Sequence, residues 1–242
     1  MRRTNILGDN RLGRSCLKKC KRYSIKIRID NMYGIYWDCD GTLMDTEKAF
    51  AYAWQEILKS KNLDLPIEHF DQYVGVDDKI VHKKYSSKVD LPSFEETMNL
   101  LSQIIIKNFG KKTLFDDALE CLEYFYNYDW KQACVSASPQ SHLEDKLKDT
   151  EIYQYFHHVI GGDSVTRNKP YPDIYLESIQ KLQTTKNIII EDSPFGIESG
   201  IESGEFVIAI DRGIFTAEQL SNANLIVNKI SPEIILEVSE SL

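Results

Sequence analysis

The chain has 242 residues, 42% of them hydrophobic and 27% charged, which suits one large globular domain or a core carrying a smaller insert. Its net charge of −8 divides into about +8 over residues 1–31 and about −16 over the remainder, and so acidic a body argues against a nucleic-acid-binding face. No apolar run approaches the ~18 residues of a membrane span, and five scattered cysteines form no disulfide framework, so a cytoplasmic protein with reduced thiols is expected.

Residues 1–31 read unlike the rest. Arg2, Arg3, Arg11, Arg14, Lys18, Lys19, Lys21 and Arg22 crowd the segment, and no apolar stretch of secretory-signal type follows them. Cys16 and Cys20 lack a second Cys or His pair at zinc spacing. Tyr23, Ile25, Ile27 and Ile29 alternate with polar residues, as in a strand. The simplest expectations are a disordered basic tail or a translation start at Met32.

Tyr33 to Trp37 is a short apolar run that ends abruptly in Asp38-Cys39-Asp40-Gly41, as a buried parallel strand opening into a loop does. From Asp45 to about Lys111 the strand pattern stops. Phe50, Ala53, Trp54, Ile57 and Leu58 recur at helical spacing, as do Phe94, Met98, Leu101, Ile104 and Ile105, and Pro66, Gly75 and Pro92 punctuate them. An all-helical insert over 45–111 is predicted, overhanging the first strand end as a lid. Strand-to-polar junctions return at Ala133–Val135, His158–Ile160 and Ile188–Ile190, and Phe206–Ile210 and Leu225–Val227 read as further strands. Helical patterns fall between them, over 114–126, 141–147, 173–182 and 194–203. This alternation predicts an α/β fold: a doubly wound, Rossmann-like parallel sheet over 32–44 and 112–242, with ligands at the carboxyl ends of the strands.

The chemistry-bearing residues sit at those ends. Gly41 lets the chain turn, so the Asp38 and Asp40 carboxylates can reach one site. One then serves as nucleophile and metal ligand, and the other exchanges a proton with the leaving group and with water. Two close carboxylates repel, so a cation is expected beside them.

The string Asp38-Cys39-Asp40-Gly41-Thr42-Leu43-Met44-Asp45 resembles the first motif of the haloacid dehalogenase-like hydrolases. Ser136, Lys169 in Lys169-Pro170-Tyr171-Pro172-Asp173, and Glu191-Asp192-Ser193-Pro194 are similar to that family's other three motifs, in order. The resemblance covers residues 32 to about 230. It implies a Mg2+-dependent phosphatase in which Asp38 forms an aspartyl phosphate and Asp40 is the acid and base. Magnesium is then held by Asp38, the Asp40 carbonyl and Asp192, with Glu191 nearby. Thr42, Ser136, the Ala137 amide and Lys169 are assigned to the phosphoryl side, and Thr42 and Asp45 to orienting the loop.

Asp40 discriminates within the family, because members resembling dehalogenases and phosphonatases replace it. The β-phosphoglucomutase branch is the nearest rival, but its usual His is Phe50 here and its usual Arg is Asp78. A phosphatase of sugar phosphates or phosphoglycolate is therefore expected, acting on a small phosphorylated metabolite as a monomer or homodimer, without nucleic acid or membrane partners. A non-catalytic binding protein on the same fold is the alternative from another class. Lys79, His82, Lys83 and Lys84 are expected to form a solvated helix face. Cys39, beside carboxylates, is expected to be an unreactive, inward-packed thiol.

Overall fold

A computed structural model of the chain describes residues 32–73, 76, 78–108 and 110–242, the side chains of Glu47, Lys111 and Lys112 excepted. The expectations for residues 1–31 and for Gly75 lie outside them. Six strands form one sheet in the order β3-β2-β1-β4-β5-β6, each neighbouring pair parallel. They are β1 (Tyr33–Trp37), β2 (Lys131–Ser136), β3 (His158–Gly161), β4 (Lys186–Glu191), β5 (Phe206–Ile210) and β6 (Leu225–Val227). The chain winds outward from β1 to β3 and returns to β4 on β1's other side. The order therefore reverses at β1, where such sheets open a crevice.

Alternation along the strands divides the interior into two layers. Ile35, Trp37, Cys134, Ile188, Ile190, Ile208 and Ile210 face one side. Helices α4 (Asp116–Asn127), α5 (Gln140–Asp149) and α9 (Pro232–Ser241) cover it with Leu122, Phe125, Leu143, Leu147 and Ile235. Tyr36, Ala133, Val135, Ile189 and Val207 face the other, under α6 (Asp173–Leu182) and α7 (Pro194–Glu202). Each large apolar side chain removed from water here contributes about 1.5–3 kcal/mol. Trp37 also places its indole N–H on Gln132 Oε1 at 3.0 Å, and Gln132 donates in turn to the Leu122 carbonyl at 3.0 Å, so two buried polar groups are satisfied inside the first layer.

Between β1 and α4 come α1 (Thr46–Ser60), a 3-10 turn over 67–73, α2 (Asp78–Ser86) and α3 (Phe94–Asn108). They share an apolar cluster of their own, built on Ala53, Trp54, Leu58, Phe70, Tyr85 and Leu101. The strands that enter and leave this helical segment lie side by side. Asp45 N donates to the Thr113 carbonyl at 2.7 Å, Phe115 N donates to the Leu43 carbonyl at 3.0 Å, and Met44 bridges Leu114 antiparallel. A short helix α8 (Ala217–Leu220) precedes β6; Thr216 and Gln219 close it with a reciprocal capping box. Among the described residues no helix is long and apolar enough to cross a membrane.

Candidate active site

The β1 strand ends at Trp37, and the next seven residues fold into a tight loop over the sheet edge. Asp38 N still pairs with the Ile190 carbonyl at 2.9 Å, which keeps the Asp38 side chain at the mouth of the β1/β4 crevice. Leu43 N reaches back to the Cys39 carbonyl at 2.9 Å, and Gly41 N to the Met44 carbonyl at 2.8 Å. Gly41 has φ +87°, and a Cβ there would lie 2.0 Å from Asp192 Oδ2. Only glycine meets both conditions. Arg212, at the end of β5, holds the loop from outside. It donates to both Asp117 oxygens at 3.1 and 3.0 Å and to the Thr42 carbonyl at 3.2 Å, and it stacks 3.8 Å over the Phe115 ring.

Four strand ends bring the predicted residues together. Lys169, 4% exposed, donates to Asp38 Oδ1 at 2.7 Å, Glu191 Oε1 at 2.7 Å and the Val135 carbonyl at 2.9 Å, which uses its three protons. Glu191 accepts on both oxygens: Tyr175 Oη reaches Oε1 at 2.7 Å, and Asp192 N and Ser193 Oγ reach Oε2 at 3.2 Å. Its side chain lies beneath the cavity and fixes Lys169 and the 192–193 backbone. Gly196 of α7 permits this, since a Cβ there would stand 1.9 Å from Glu191 Oε1. Gly196→Ala is expected to displace Glu191 and lower turnover by roughly tenfold or more, because small misplacements in such sites are costly. Steady-state kinetics with a melting curve checks it, and unchanged turnover would remove Glu191 from the site's framework.

Ser136, Ala137 and Ser138 turn from β2 into α5 and line the cavity, with Ser136 Oγ accepting from Ser138 N at 3.1 Å. Thr42 is placed differently from its expected phosphate contact. It is fully buried and donates to Asp192 Oδ1 at 3.2 Å, so it orients Asp192 and does not line the cavity. The loop's backbone, closed by Gly41, turns that side chain down toward β4. Asp45 lines the cavity with Lys48 3.8 Å away. Asp192 does not cap α7; the cap is Ser193 Oγ, which accepts from Gly196 N at 3.1 Å.

Asp40 has a partner that no motif in the sequence marks. Lys146 of α5 reaches its two oxygens at 2.6 and 2.9 Å, and Ser138 Oγ donates to Oδ2 at 3.2 Å. Lys146 sits on a helix of mixed charge beside Lys148, and no pattern in the sequence separates the inward lysine from the outward one. Arg212 was likewise unmarked.

The electrostatics follow from these pairings. Burial raises the Asp38 carboxyl to about 7, and the neighbouring Glu191 charge adds to it against the pull of Lys169. Burial, then Asp38 and Glu191, push Asp192 well above the usual range. Burial also opposes ionisation of Asp40, but Lys146 and the hydrogen bonds from Thr46 and Ser138 outweigh it and hold that carboxyl low. The Cys39 thiol is raised, first by its hydrogen bond with Cys134 and then by burial, in keeping with an inert inward thiol.

Asp38, Glu191 and Asp192 each offer an oxygen within 4.8 Å of the others, against the single ammonium of Lys169. Three buried carboxylates facing one cation leave an excess of negative charge, and an all-oxygen donor set fits a hard divalent ion such as Mg2+. Above them opens a cavity of about 1020 Å³, walled on its far side by Phe50, Tyr52, Trp54, Tyr73, Asp71 and Asp78 of the helical segment. Lys79, His82, Lys83 and Lys84 do not line it; His82 is spent on the Pro92 carbonyl at 3.0 Å.

Residues 35–210 match the family model described as haloacid dehalogenase-like hydrolase. The chain belongs to the haloacid dehalogenase-like hydrolases. It is 26% identical over 219 residues to a phosphorylated carbohydrates phosphatase of Thermotoga maritima, covering 86% of this chain and 98% of that protein. It is 24% identical to a fructose-1-phosphate phosphatase of Escherichia coli, covering 71% and 92%. Among solved structures, one from Thermotoga maritima superposes with a TM-score of 0.73 at 23% identity, over 87% of this chain and all of that one. The β-phosphoglucomutase of Clostridium difficile superposes with 0.65 at 20% identity, over 87% and 98%. This member of the haloacid dehalogenase-like hydrolases has Asp38 and Asp40, the Ser136–Ser138 turn, Lys169 and the Glu191-Asp192 pair gathered around the strand ends.

Proposed function

We propose that this hydrolase cleaves a small phosphate monoester through an aspartyl phosphate on Asp38, with Asp40 as acid and base. The observation that carries the reading is the convergence of Asp38, Asp40, Lys169 and the Ser136-Ala137 turn on the floor of one cavity. Asp38 Oδ attacks phosphorus as the bond to the leaving oxygen breaks, and Asp40 gives that oxygen its proton. Asp40, then ionised, takes a proton from water; the water oxygen attacks phosphorus, and inorganic phosphate leaves with the Asp38 carboxylate restored. Ser136 and the Ala137 amide hold the equatorial oxygens, where charge spreads during transfer, and the Lys169 charge beside Asp38 stabilises them. Asp38, Asp192 and the Asp40 carbonyl are the groups suited to Mg2+, which would add a second positive charge at the phosphoryl oxygens.

Residues 45–111 serve as a lid over a core of 32–44 and 112–242. The aromatic and carboxylate wall it presents suits a compact hydroxylated leaving group, and the relatives named for sugar phosphates support that substrate class. Phe50 and Asp78 both line the cavity; neither is the basic residue that a mutase-like sequence carries there, which favours hydrolysis over phosphoryl return. Reduced, scattered cysteines fit a cytoplasmic setting.

The test is turnover of sugar phosphates, phosphoglycolate, nucleotides and p-nitrophenyl phosphate with Mg2+, against Asp38→Asn. Wild-type release of phosphate from at least one ester, at least ~10³-fold above the variant, is expected. No excess over Asp38→Asn across the panel would sink the enzyme reading. Isomerisation of a hexose 1-phosphate without net phosphate release would replace it with the mutase.

A further inference from the structure

We infer that Lys146 is a positioning residue for Asp40, fixing its carboxylate at the leaving-group side of the cavity. This rests on the acid–base role proposed for Asp40. Lys146 contacts both Asp40 oxygens, at 2.6 and 2.9 Å, and its side chain is 20% exposed. The next lysine on the same helix, Lys148, instead pairs with Glu144 in solvent at 2.8 Å with 53% exposure. Turning a lysine inward costs desolvation unless an anion meets it. Asp40 is the carboxylate that does so here, and both groups line the cavity.

The scaffold that carries Lys146 is rigid. Leu143 and Leu147 on α5 are fully buried, and Gln140 N, at the helix start, donates to Asp163 Oδ1 at 2.7 Å. The turn that opens this helix also supplies Ser138 Oγ to Asp40 Oδ2 at 3.2 Å. One helix therefore supports the phosphoryl-binding turn at its start and grips the acid–base carboxylate two turns later. The two halves of the reaction are registered to each other through α5. Without Lys146, Asp40 keeps the hydrogen bonds from Ser138 and Thr46 but loses the contact that spans both its oxygens, on a loop beyond the strand end. An error of about 1 Å in such a group costs on the order of 10²-fold in rate. The same ammonium favours the ionised carboxylate and so works against proton donation. Placement is the larger effect in this proposal, and the sign of the substitution decides it.

The experiment compares wild type, Lys146→Met, Lys146→Arg, Asp40→Asn and the Asp40→Asn/Lys146→Met double variant, all with Mg2+. It reads kcat/KM for p-nitrophenyl phosphate, whose leaving group needs little proton, and for the best-cleaved sugar phosphate of the panel. Lys146→Met is expected to lower the sugar-phosphate value roughly 30–100-fold and the p-nitrophenyl value by less than about threefold. In the Asp40→Asn background the further loss is expected to stay below about twofold, as for residues that act as a unit. Lys146→Arg, which keeps the charge and the reach, is expected to retain most activity, and it carries the comparison if Lys146→Met melts early. Equal losses on both esters, or a full second loss in the Asp40→Asn background, would assign Lys146 to the substrate or to the fold and overturn the proposal. No loss, or a gain, would make the pair a restraint on Asp40 and overturn it as well. Wild-type turnover no greater than that of Asp38→Asn would mark the failure of the phosphatase reading itself, and the inference would fall with it.

Discussion

Lys169→Met is expected to lower kcat/KM by roughly 10³-fold and to destabilise the fold by about 3–5 kcal/mol. Lys169 has 4% exposure, and its three protons bind Asp38, Glu191 and the Val135 carbonyl. Removing it leaves two buried carboxylates facing each other with no cation between them and strands a carbonyl in the interior. The catalytic loss comes from the missing charge on the phosphoryl oxygens, and the stability loss from the unmatched carboxylates. The stability cost should therefore shrink at low pH, where Asp38 takes up a proton. Urea unfolding at pH 5 and pH 8 separates the two effects. Lys169→Arg is not expected to rescue, because a guanidinium fork does not fit a pocket built around three convergent acceptors of one ammonium. A Lys169→Met protein as stable as wild type at pH 8 would contradict this account of the buried cluster.

The second large effect concerns Mg2+ and pH together. Asp38 moves from 3.8 to about 7 on folding, through burial first and Glu191 second. A carboxyl raised in this way binds its proton more tightly in the folded than in the unfolded chain. Unfolding then releases protons, and metal-free stability falls as pH climbs from about 4 toward 7. Asp192, raised by the same causes, acts in the same direction. A divalent cation binds the ionised forms and removes their repulsion. At a concentration near 100 times Kd it should stabilise by about 2.7 kcal/mol, or roughly 5–10 °C in Tm for a chain of this length. The gain should be larger at pH 8 than at pH 5, where protons compete with the metal. Thermal melts with and without MgCl2 at both pH values measure it. A gain independent of pH, or one that survives in Asp192→Asn, would show that the ion binds elsewhere.

Much of this architecture is legible from the residues because the strands are buried on both faces. Tyr33–Trp37 and Ile188–Ile190 read as continuous apolar runs, and each ends in acidic residues, which marks the carboxyl edge of a parallel sheet. Asp38, Ser136, Lys169 and Asp192 follow from that edge and the motif string. What was not legible depends on direction more than on identity. Thr42 stands in the expected loop, yet its hydroxyl turns to Asp192, because a loop closed by a glycine at positive φ aims its side chains in ways that residue spacing does not encode. Lys146 lies one position before the buried Leu147, in a helix whose lysines look alike; only the tertiary position of Asp40 tells which one turns inward. Arg212 and Asp117 pair across 95 residues, and neither belongs to any local pattern.

The paired connection at Asp45 and Thr113 has a consequence for how such an enzyme diversifies. The chain departs from the loop after β1 and returns beside it at adjacent backbone positions, linked at 2.7 Å. The sheet therefore perceives everything between them as little more than a hairpin turn. Residues 46–112 can be lengthened, rebuilt or exchanged for another helical set with no change in strand register, because no strand of the sheet lies among their described residues. The far wall of the cavity and the cluster of Asp38, Lys169 and Asp192 thus lie on separable pieces of one chain. Grafting a relative's helical segment at this junction transplants the far wall of the cavity and leaves Asp38, Lys169 and Asp192 in place.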